Sequence, residues 1–382
     1  MAKYVYSSSP HIKSPRTTRR IMIDVCIALL PACIAGCILM GIANPAYPQL
    51  GLLSFVQLLI CCVSSVASEF VYLLCCKKSF KTILKEFDFT SLVTGLLIGM
   101  NLYPTSKWYV GILASVFAIV VVKMLFGGTG KNIVNPAIAG RIFAFIAFGA
   151  AFGGAMGFVN PANGNAVSIT STVSKGSVTA GATPLQIMFG AEGTSTLTNL
   201  DLFLGTGVPG TIGEVCKLAL IVGGIYLVVR GVLNFRWPLV YIASTGVVAV
   251  LIAWIDGVNA LDPNLSAAAR SVMVEKCFTE AIGTFLPSIL SGGLILGAIF
   301  MATDYVTTPN TKLGNYIYFV LLGVLTAVLR RAVKGEAVSF AILLMNLLVP
   351  LFDMYIRRKP FGYVRPVKEK KAKAKTEQKE GE

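Results

Sequence analysis

Long apolar stretches alternate with short polar ones along most of the sequence. The apolar stretches do not alternate strictly between apolar and polar positions, which favours helices over strands. Because an apolar helix of about 20 residues spans a bilayer, we predict about ten transmembrane helices. They are expected near residues 21–43, 50–76, 89–103, 108–126, 137–158, 212–229, 238–255, 281–302, 316–329 and 337–356.

The polar stretches divide the chain into five parts. A basic arm at 1–20 precedes a first membrane half at 21–158. The longest polar interval, 159–212, separates it from a second membrane half at 213–357. The tail at 358–382 is basic and rich in Lys and Glu, and we expect it to be disordered because it is too polar to pack.

A faint internal repeat relates the two membrane halves. Gly-Leu-Leu-Ile-Gly at 95–99 resembles Gly-Leu-Ile-Leu-Gly at 293–297, and each copy precedes a Pro-containing break and two further apolar stretches. The copies are five spans apart, so the second would be inverted in the membrane. Chance recurrence of Gly/Leu strings is the alternative explanation. The pattern favours an all-α polytopic membrane protein of two inverted five-helix repeats, with a binding site near the bilayer midplane.

Composition and charge support a membrane location. The chain is 55% hydrophobic and only 13% charged, against about 25% charged in soluble domains. The net charge of +15 is explained by cytoplasmic loops and anionic lipids, because no nucleic-acid-binding module accompanies it. The positive-inside rule places both termini in the cytoplasm and residues 159–212 outside. Arg330, Arg331 and Lys334 are exceptions, because they fall in a loop that should be external.

The sequence contains no complete active site. It has no P-loop, no Gly-x-Gly-x-x-Gly after a strand, and a single histidine, His11, so a Ser/His/Asp set is excluded. The nine cysteines show no Cys-x-x-Cys spacing, and helix packing explains them better than iron–sulfur or other metal ligation. We therefore expect no catalytic residue and no metal ligand, and any redox chemistry would come from a bound cofactor.

Ionisable residues in or beside the predicted spans mark a candidate ion path. Glu69 lies inside the second span, Asp353 late in the tenth, and Asp304 just beyond the eighth. We predict that these three carboxylates handle the ion, because a charge in hydrocarbon is costly and usually faces a cavity or a partner. Asp24, Lys123 and Asp353 lie close enough to an interface to reach the lipid headgroups, which is the alternative explanation for them.

The longest polar interval contains Gly181-Ala182-Thr183-Pro184. Gly181 and Ala182 leave the backbone open to a bulky group, and Pro184 favours an extended conformation at Thr183. The segment therefore presents one hydroxyl to an enzyme that modifies proteins. On these residues alone, a solvated turn rich in Ser, Thr and Gly is the commoner explanation.

Several segments, taken together, resemble a known family. They include Gly-Gly-Thr-Gly-Lys-Asn-Ile-Val-Asn-Pro-Ala at 127–137 and Ala-Thr-Asp-Tyr-Val-Thr-Thr-Pro at 302–309, with further segments at 9–12, 20–25 and 340–353. In this order they resemble the D subunits of the Rnf electron-transport complex. The related B subunits of the sodium-pumping NADH:quinone reductase look similar. The resemblance covers about residues 7–363, and the combination of segments is specific although no single one is.

The resemblance implies a fold of ten helices in two inverted halves, similar to urea channels. It also implies FMN joined through a phosphoester to Thr183, on the outer side of the membrane. Gly181 and Ala182 match the family motif at this position, whereas Ala180 stands where Ser or Thr is common. Attachment would require a flavin transferase.

The resemblance further implies a second, noncovalent flavin, riboflavin, within the helix bundle. Asn132 and Asn135 in the Gly/Asn/Pro turn, together with Thr94, are the residues carried over for it. Their amide and hydroxyl groups suit the donors and acceptors of a flavin ring. The alternative is that they only cap half-helices and satisfy loose backbone groups.

Two functions from different classes remain. In the first, the chain is an electron-carrying subunit of a redox-driven ion pump, a ferredoxin:NAD⁺ oxidoreductase that moves Na⁺ or H⁺. Its partners would be the A, B, C, E and G subunits of the complex, in the plasma membrane of a prokaryote. The equivalent subunit of a sodium-pumping NADH:quinone reductase is a variant of this function. In the second, it is a channel or transporter for a small polar solute, which the fold alone would allow.

Overall fold

The computed structural model describes residues 17–42, 49–152, 167–168, 185, 188, 194–195, 198–208, 210–262, 266–333 and 337–356. Most of the described chain is helical. The helices before residue 153 form the first half of the molecule, and those after residue 216 form the second.

The first half begins with two long helices and continues with shorter ones. Its helices are α1 (Thr18–Ile42), α2 (Gln49–Cys75), α3 (Phe80–Glu86), α4 (Thr90–Met100), α5 (Trp108–Val116) and α6 (Pro136–Phe148). Helix α5 runs on without a break as a π-helical segment, Phe117–Met124. Helix α6 ends at Phe148 rather than near residue 158, because Gly149 has a positive φ of 22° that an α-helix cannot continue.

A connecting region that includes the longest polar interval precedes the second half. This region contains the antiparallel pair β1 (Val167–Ser168) and β2 (Thr194–Ser195) and the short helix α7 (Asn199–Leu204). The helices of the second half are α8 (Lys217–Val229), α9 (Arg236–Asn259), α10 (Ala267–Gly283), α11 (Phe285–Leu290), α12 (Leu294–Leu296), α13 (Lys312–Val333) and α14 (Val338–Tyr355). Helix α12 runs on as a second π-helical segment, Gly297–Met301.

The described helices confirm a polytopic membrane protein. Helices α1, α2, α9, α13 and α14 are long and apolar enough to cross a bilayer. A sixth candidate span is broken: residues 268–290 and 294–301 meet at an angle of 61°. Helices α4, α5, α6 and α8 are apolar but shorter. Large apolar side chains such as Ile34, Leu52 and Val229 are exposed on the outside of the bundle, as expected for a surface that faces lipid.

The eighth predicted span, 281–302, differs from the structure. Helix already begins at Ala267, so most of residues 256–279, between the seventh and eighth predicted spans, is helical rather than a loop. The helix then breaks twice before Met301. The second break lies at Ser291–Gly293, where Gly292 has a φ of 71°, and glycine accepts this conformation without strain.

The two halves contact each other through equivalent helices. The first helices of the halves, α1 and α8, pack together, and so do the last ones, α6 and α14. The contacts between α6 and α14 are reciprocal: the guanidinium of Arg141 on α6 donates to Ser339 Oγ near the start of α14 (2.7 Å). In return, the side chain of Asn346 on α14 lies 3.2 Å from the main-chain N of Asn135 at the start of α6. This reciprocity is what two inverted repeats around a pseudo-two-fold axis produce.

Arg141 also fixes the ends of two other segments. It donates to Asn101 Oδ1 just beyond α4 (2.9 Å) and lies 3.8 Å from Glu214 Oε1, in the loop before α8. Arg141 and Glu214 are both buried. A buried ion pair of this kind contributes little net stability but is costly to break, so it holds the two halves in one relative position.

The arginines that contradicted the positive-inside rule are not in a loop. Arg330 and Arg331 lie in the last turn of α13. Arg330 is 2% exposed and donates to the carbonyl oxygens of Ser288 (2.7 Å) and Ser291 (3.2 Å) at the end of α11. Arg331 pairs with Asp256 on α9 (2.6 Å). The positive-inside rule does not apply to Arg330 and Arg331, because both cations have structural partners. Lys334 lies outside the described residues.

Candidate functional site

A cavity opens between the two halves. We call it the interhalf cavity; its empty volume is about 860 Å³ including the part open to the surface. Its walls are mostly apolar and come from α1, α4, α8 and the two π-helical segments. Its polar lining comes from Thr90, Thr94, Lys123, Thr129, Asn132 and Asn135 of the first half and from Thr303, Asp304 and Tyr305 of the second. Mostly apolar walls with a few convergent polar groups are typical of small-molecule sites.

A glycine-rich turn places the two asparagines at this cavity. Gly127, Gly128 and Gly130 have φ values of 107°, 89° and 87°, which glycine adopts readily. The turn ends at Asn135, whose Oδ1 accepts from the main-chain N of Ala137 (3.0 Å) and so caps α6.

Asn135 therefore has a structural role in addition to lining the cavity. Its Nδ2 donates to the carbonyl of Met301 (3.1 Å), at the end of the second π-helical segment. One side chain thus closes the N-terminus of α6 and joins the halves. The alternative explanation for Asn135, that it caps a half-helix, describes these contacts, and its role toward a flavin stays a prediction.

Asn132 and Thr94 keep hydrogen-bonding capacity for a ligand. Asn132 Nδ2 donates to the carbonyl of Val134 (3.0 Å), and no contact within the described residues engages its Oδ1. Thr94 Oγ1 donates to the carbonyl of Thr90 (3.0 Å), and its lone pairs remain able to accept. The structure therefore brings Thr94, Asn132 and Asn135 together, as the sequence predicts, but leaves mainly acceptor groups to meet a bound molecule.

Asp304 lines the same cavity from the second half. It lies just after the second π-helical segment, and its Oδ1 is 3.5 Å from the main-chain N of Val306. Burial raises the pKa of the Asp304 carboxyl, and the hydrogen bond from Val306 opposes this shift. A carboxyl with a raised pKa beside a cavity is suited to exchange a proton or a cation.

Glu69 forms a buried ion pair with Lys123. Lys123 Nζ lies 2.9 Å from Glu69 Oε1, and the two residues are 2% (Lys123) and 8% (Glu69) exposed. The same ammonium donates to Thr90 Oγ1 (2.5 Å). Lys123 thus points into the protein, and the alternative that it extends to lipid headgroups is wrong. Burial without a partner would be too costly for either charge, which explains the pairing.

Asp88 extends this ion pair into a network. Asp88 Oδ1 accepts from the Thr90 hydroxyl (2.6 Å), and Asp88 Oδ2 accepts from the Thr129 hydroxyl (2.8 Å). Burial alone would raise the pKa of the Asp88 carboxyl, but the Thr90 hydroxyl and the positive charge of Lys123 hold it below its usual value. The carboxylate is therefore ionised and stabilises the ammonium from the other side of Thr90.

The remaining candidates lie elsewhere. The carboxylate of Asp353 accepts from the main-chain N (2.9 Å) and from Nδ2 (2.8 Å) of Asn310, away from the interhalf cavity. Asp24 pairs with Arg230 (3.1 Å) rather than with lipid. Thr183, Gly181 and Ala182 lie outside the described residues, so their part in binding FMN stays a prediction.

Three residues that matter in the structure were not selected from the sequence. Arg141 joins the halves, Lys123 pairs with Glu69, and Asp88 completes the network around it. A usable signal existed for the first two, because each is a single cation within an apolar stretch. No comparable signal marks Asp88, which lies between a basic loop and a span.

Comparisons with known proteins identify relatives over nearly the whole chain. The model of the NQR2, RnfD, RnfE family matches residues 5–362. The D subunit of the Na⁺-translocating ferredoxin:NAD⁺ oxidoreductase complex of Acetobacterium woodii is 35% identical over 96% of this chain and 98% of its own length. The D subunit of the proton-translocating complex of Clostridium ljungdahlii is 30% identical over 94% and 96%. The D subunit of the ion-translocating oxidoreductase complex of Escherichia coli is 29% identical over 94% and 98%.

Proposed function

We infer the function from one premise: this chain belongs to the NQR2, RnfD, RnfE family. It is a membrane subunit of an ion-translocating ferredoxin:NAD⁺ oxidoreductase, of the Rnf type. The observation that carries this conclusion is the match to D subunits over almost the full length of both chains. The match over almost the full length matters because a shared fold alone would also fit a solute channel.

We propose that the chain carries electrons through FMN bound to Thr183. The threonine hydroxyl would form a phosphoester with the phosphate of FMN, with Gly181 and Ala182 giving the bulky group access to the backbone. A flavin supplies reversible redox chemistry that no side chain offers. Sequence supports this proposal: the hydroxyl is followed by Pro184 and lies in the longest polar interval between spans, where a flavin transferase can reach it.

Riboflavin is proposed for the interhalf cavity. Its apolar walls suit an isoalloxazine ring, and Asn132 Oδ1 and Thr94 Oγ1 are available to accept hydrogen bonds from it. Asn135 would contribute by fixing the turn and the start of α6, because its side chain already bonds Ala137 and Met301. The described residues therefore fit a neutral ring with at least one N–H donor.

The ion path is proposed to run past Glu69 and Asp304, with Asp353 as a further candidate. Glu69 supports this role because it is buried and charge-paired, and Asp304 because it faces the cavity between the halves. Relatives named for Na⁺ and for protons are both similar to this chain. Membership of the family therefore indicates ion translocation but does not distinguish Na⁺ from H⁺.

We propose a location in the plasma membrane of a prokaryote, with both termini in the cytoplasm and residues 159–212 outside. The Lys/Arg distribution between loops supports this orientation, and the structural roles of Arg330 and Arg331 remove two of its three exceptions. The A, B, C, E and G subunits of the complex are the proposed partners.

Replacement of the attachment residue tests the covalent flavin. When a flavin transferase is co-expressed, the wild-type band should fluoresce in a denaturing gel and the Thr183→Ala band should not, because a phosphoester needs a hydroxyl. Thr179→Ala, which removes a hydroxyl nearby in the same interval, is the matched control and should stay fluorescent. A colourless wild-type band would contradict the covalent flavin, and an FMN-sized mass on the residue at 179 or 177 would show that Thr183 is not the attachment residue.

A further inference from the structure

The short helix α3 exposes apolar and basic side chains next to each other. Ile83 is 1% exposed and attaches α3 to the protein. Phe80 and Leu84, one helical turn apart, are 55% and 51% exposed. Lys81 and Lys85 are also one turn apart and exposed, and they lie together because residues four positions apart share one side of a helix. The exposed surface of α3 therefore has an apolar strip beside a basic strip, and we call these four exposed residues the α3 patch.

The α3 patch lies at the level where the second membrane helix ends. Helix α2 ends at Cys75 and α3 begins at Phe80. The centre of the Phe80 ring is 6.0 Å from that of Phe70, which lies more than one turn before the end of α2. Val71 and Leu74, in the last two turns of α2, are exposed on the outside of the bundle. The apolar strip is therefore beside a lipid-facing part of α2, and α3 lies at the boundary between hydrocarbon and water.

The loop that contains α3 has more lysines than carboxylates. Residues 77–86 contain four lysines and one glutamate. Glu86 pairs with Lys78 (2.8 Å). No ion pair within the described part of the chain engages Lys77, Lys81 or Lys85, and all three are exposed. A basic cluster directly beside a membrane span attracts anionic headgroups, by about fivefold for each lysine near the surface.

A partner of the α3 patch has to be apolar and anionic at the same place. A soluble anion would meet Lys81 and Lys85 but leave Phe80 and Leu84 in water. Hydrocarbon alone would cover Phe80 and Leu84 but leave the two ammonium groups without a counter-charge. A phospholipid with an anionic headgroup supplies both parts, and the lysine stems can lie along its apolar portion while their ammonium groups reach the phosphate.

We propose that the α3 patch binds an anionic phospholipid of the leaflet in which α2 ends. Lys81 and Lys85 donate to the phosphate of the headgroup, and an acyl chain packs against Phe80 and Leu84. A zwitterionic lipid brings its own positive charge and compensates the two lysines less well, so the site prefers the anionic lipid by about tenfold. Lipid binding at α3 does not depend on the proposed flavins or ion path and is tested separately from them.

Quenching of an introduced tryptophan measures which lipid lies against α3. The full-length Phe80→Trp variant is reconstituted into vesicles of equal parts phosphatidylcholine and phosphatidylglycerol, and in each sample only one of the two lipids carries brominated acyl chains. Bromine quenches tryptophan fluorescence on contact. The signal of the wild-type chain, which contains Trp108, Trp237 and Trp254, is subtracted. Brominated phosphatidylglycerol should quench more than brominated phosphatidylcholine, with a preference of about tenfold.

Two double substitutions separate the α3 patch from the net charge of the protein. In the tryptophan variant, Lys81→Gln/Lys85→Gln should lower the preference to about twofold or less. Lys107→Gln/Lys276→Gln is the matched control: it removes two exposed charges, at the start of α5 and on α10, and should leave the preference unchanged. If the tryptophan variant does not fold, mass spectrometry quantifies the phosphatidylglycerol that co-purifies with the chain. The Lys81/Lys85 variant should lose this lipid, whereas wild type and the control should retain it.

The preference should persist when soluble glycerol phosphate is added and when the assembled complex replaces the single chain. Loss of the preference with glycerol phosphate would show that the lysines bind a soluble anion. Its loss in the complex would show that another subunit covers α3. Either result would overturn the proposal. Equal quenching by the two lipids would also overturn it, as would a preference that is the same in the Lys81/Lys85 variant and the control.

Discussion

Lys123 in the first half and Arg330 in the second are both buried cations in the last turn of a helical segment, and they have different roles. Each lies on the fourth membrane helix of its half, and each is 2% exposed. Lys123 meets a carboxylate and a hydroxyl beside the interhalf cavity. Arg330 meets two main-chain carbonyls at the end of α11, next to a break in the helix. A buried cation thus pairs with a carboxylate in one half and caps main-chain carbonyls in the other.

The chemistry of the two side chains explains the difference. The guanidinium of Arg330 is a planar fork that can hold two carbonyl oxygens at once, whereas the ammonium of Lys123 is a point charge on a flexible stem. Backbone groups exposed by a broken helix must find partners within the membrane, so the second half uses its cation for stability. The first half has a carboxylate to offer instead, and its cation pairs with that carboxylate.

Loss of the backbone cap should have the largest effect. Arg330→Met leaves the carbonyls of Ser288 and Ser291 without these donors and should lower the free energy of unfolding by about 3 kcal/mol. The melting temperature of the purified protein measures this. Arg331→Met is the matched control: its pair with Asp256 is nearly half exposed, so the melting temperature should stay close to that of wild type. Equal melting temperatures for the Arg330 variant and wild type would show that Arg330 does not stabilise the break in the helix.

Neutralisation of Glu69 should affect transport more than stability. Glu69→Gln keeps the shape and removes the charge, so ion-coupled turnover of the complex should fall about tenfold while flavin content stays the same. Asp353→Asn is the comparison in the second half. Its carboxylate is held by Asn310, so a fall of about twofold or less is expected. If turnover falls more in the Asp353 variant than in the Glu69 variant, the ion path lies in the second half rather than the first.

The smallest effect should separate the two asparagines of the interhalf cavity. Asn135→Ala removes the cap of α6 and the bond to Met301, and should cost about 1–2 kcal/mol of unfolding free energy. Asn132→Ala should cost less, since it loses one bond to Val134, but should reduce the riboflavin that is retained after gel filtration. If riboflavin retention drops in Asn135→Ala and not in Asn132→Ala, then Asn135 rather than Asn132 binds the flavin.

Sequence reasoning predicted the elements better than the contacts between them. Apolar stretch length was enough to find most helices. The two copies of the Gly-Leu repeat fall at α4 and at α12, which are both short. The broken helix at 267–301 was missed because its first part is polar, and its break depends on Gly292 adopting a positive φ. A local pattern cannot show how a side chain is used once the chain has folded.

The candidate site shows the same limit. Thr94, Asn132 and Asn135 were expected together, and they line one cavity. The partner of Glu69 could not be identified from the sequence, because Lys123 is 54 residues away and its position near the end of a span suggested contact with lipid instead. Long-range pairing is decided by packing, which periodicity along one helix does not encode.

The contacts between the halves can form only late in the synthesis of the protein. Arg141 and its partner Ser339 are 198 residues apart, and Asn135 and Met301 are 166 apart. At about 5–20 residues per second, a ribosome needs roughly 10–40 s to make the second member of the first pair. Until then, Arg141 has Asn101, 40 residues earlier, as a partner within the first half. Before the second half is made, Arg141 lacks its partner Ser339. At this stage of synthesis the chain therefore depends most on the insertion machinery to shield the Arg141 cation.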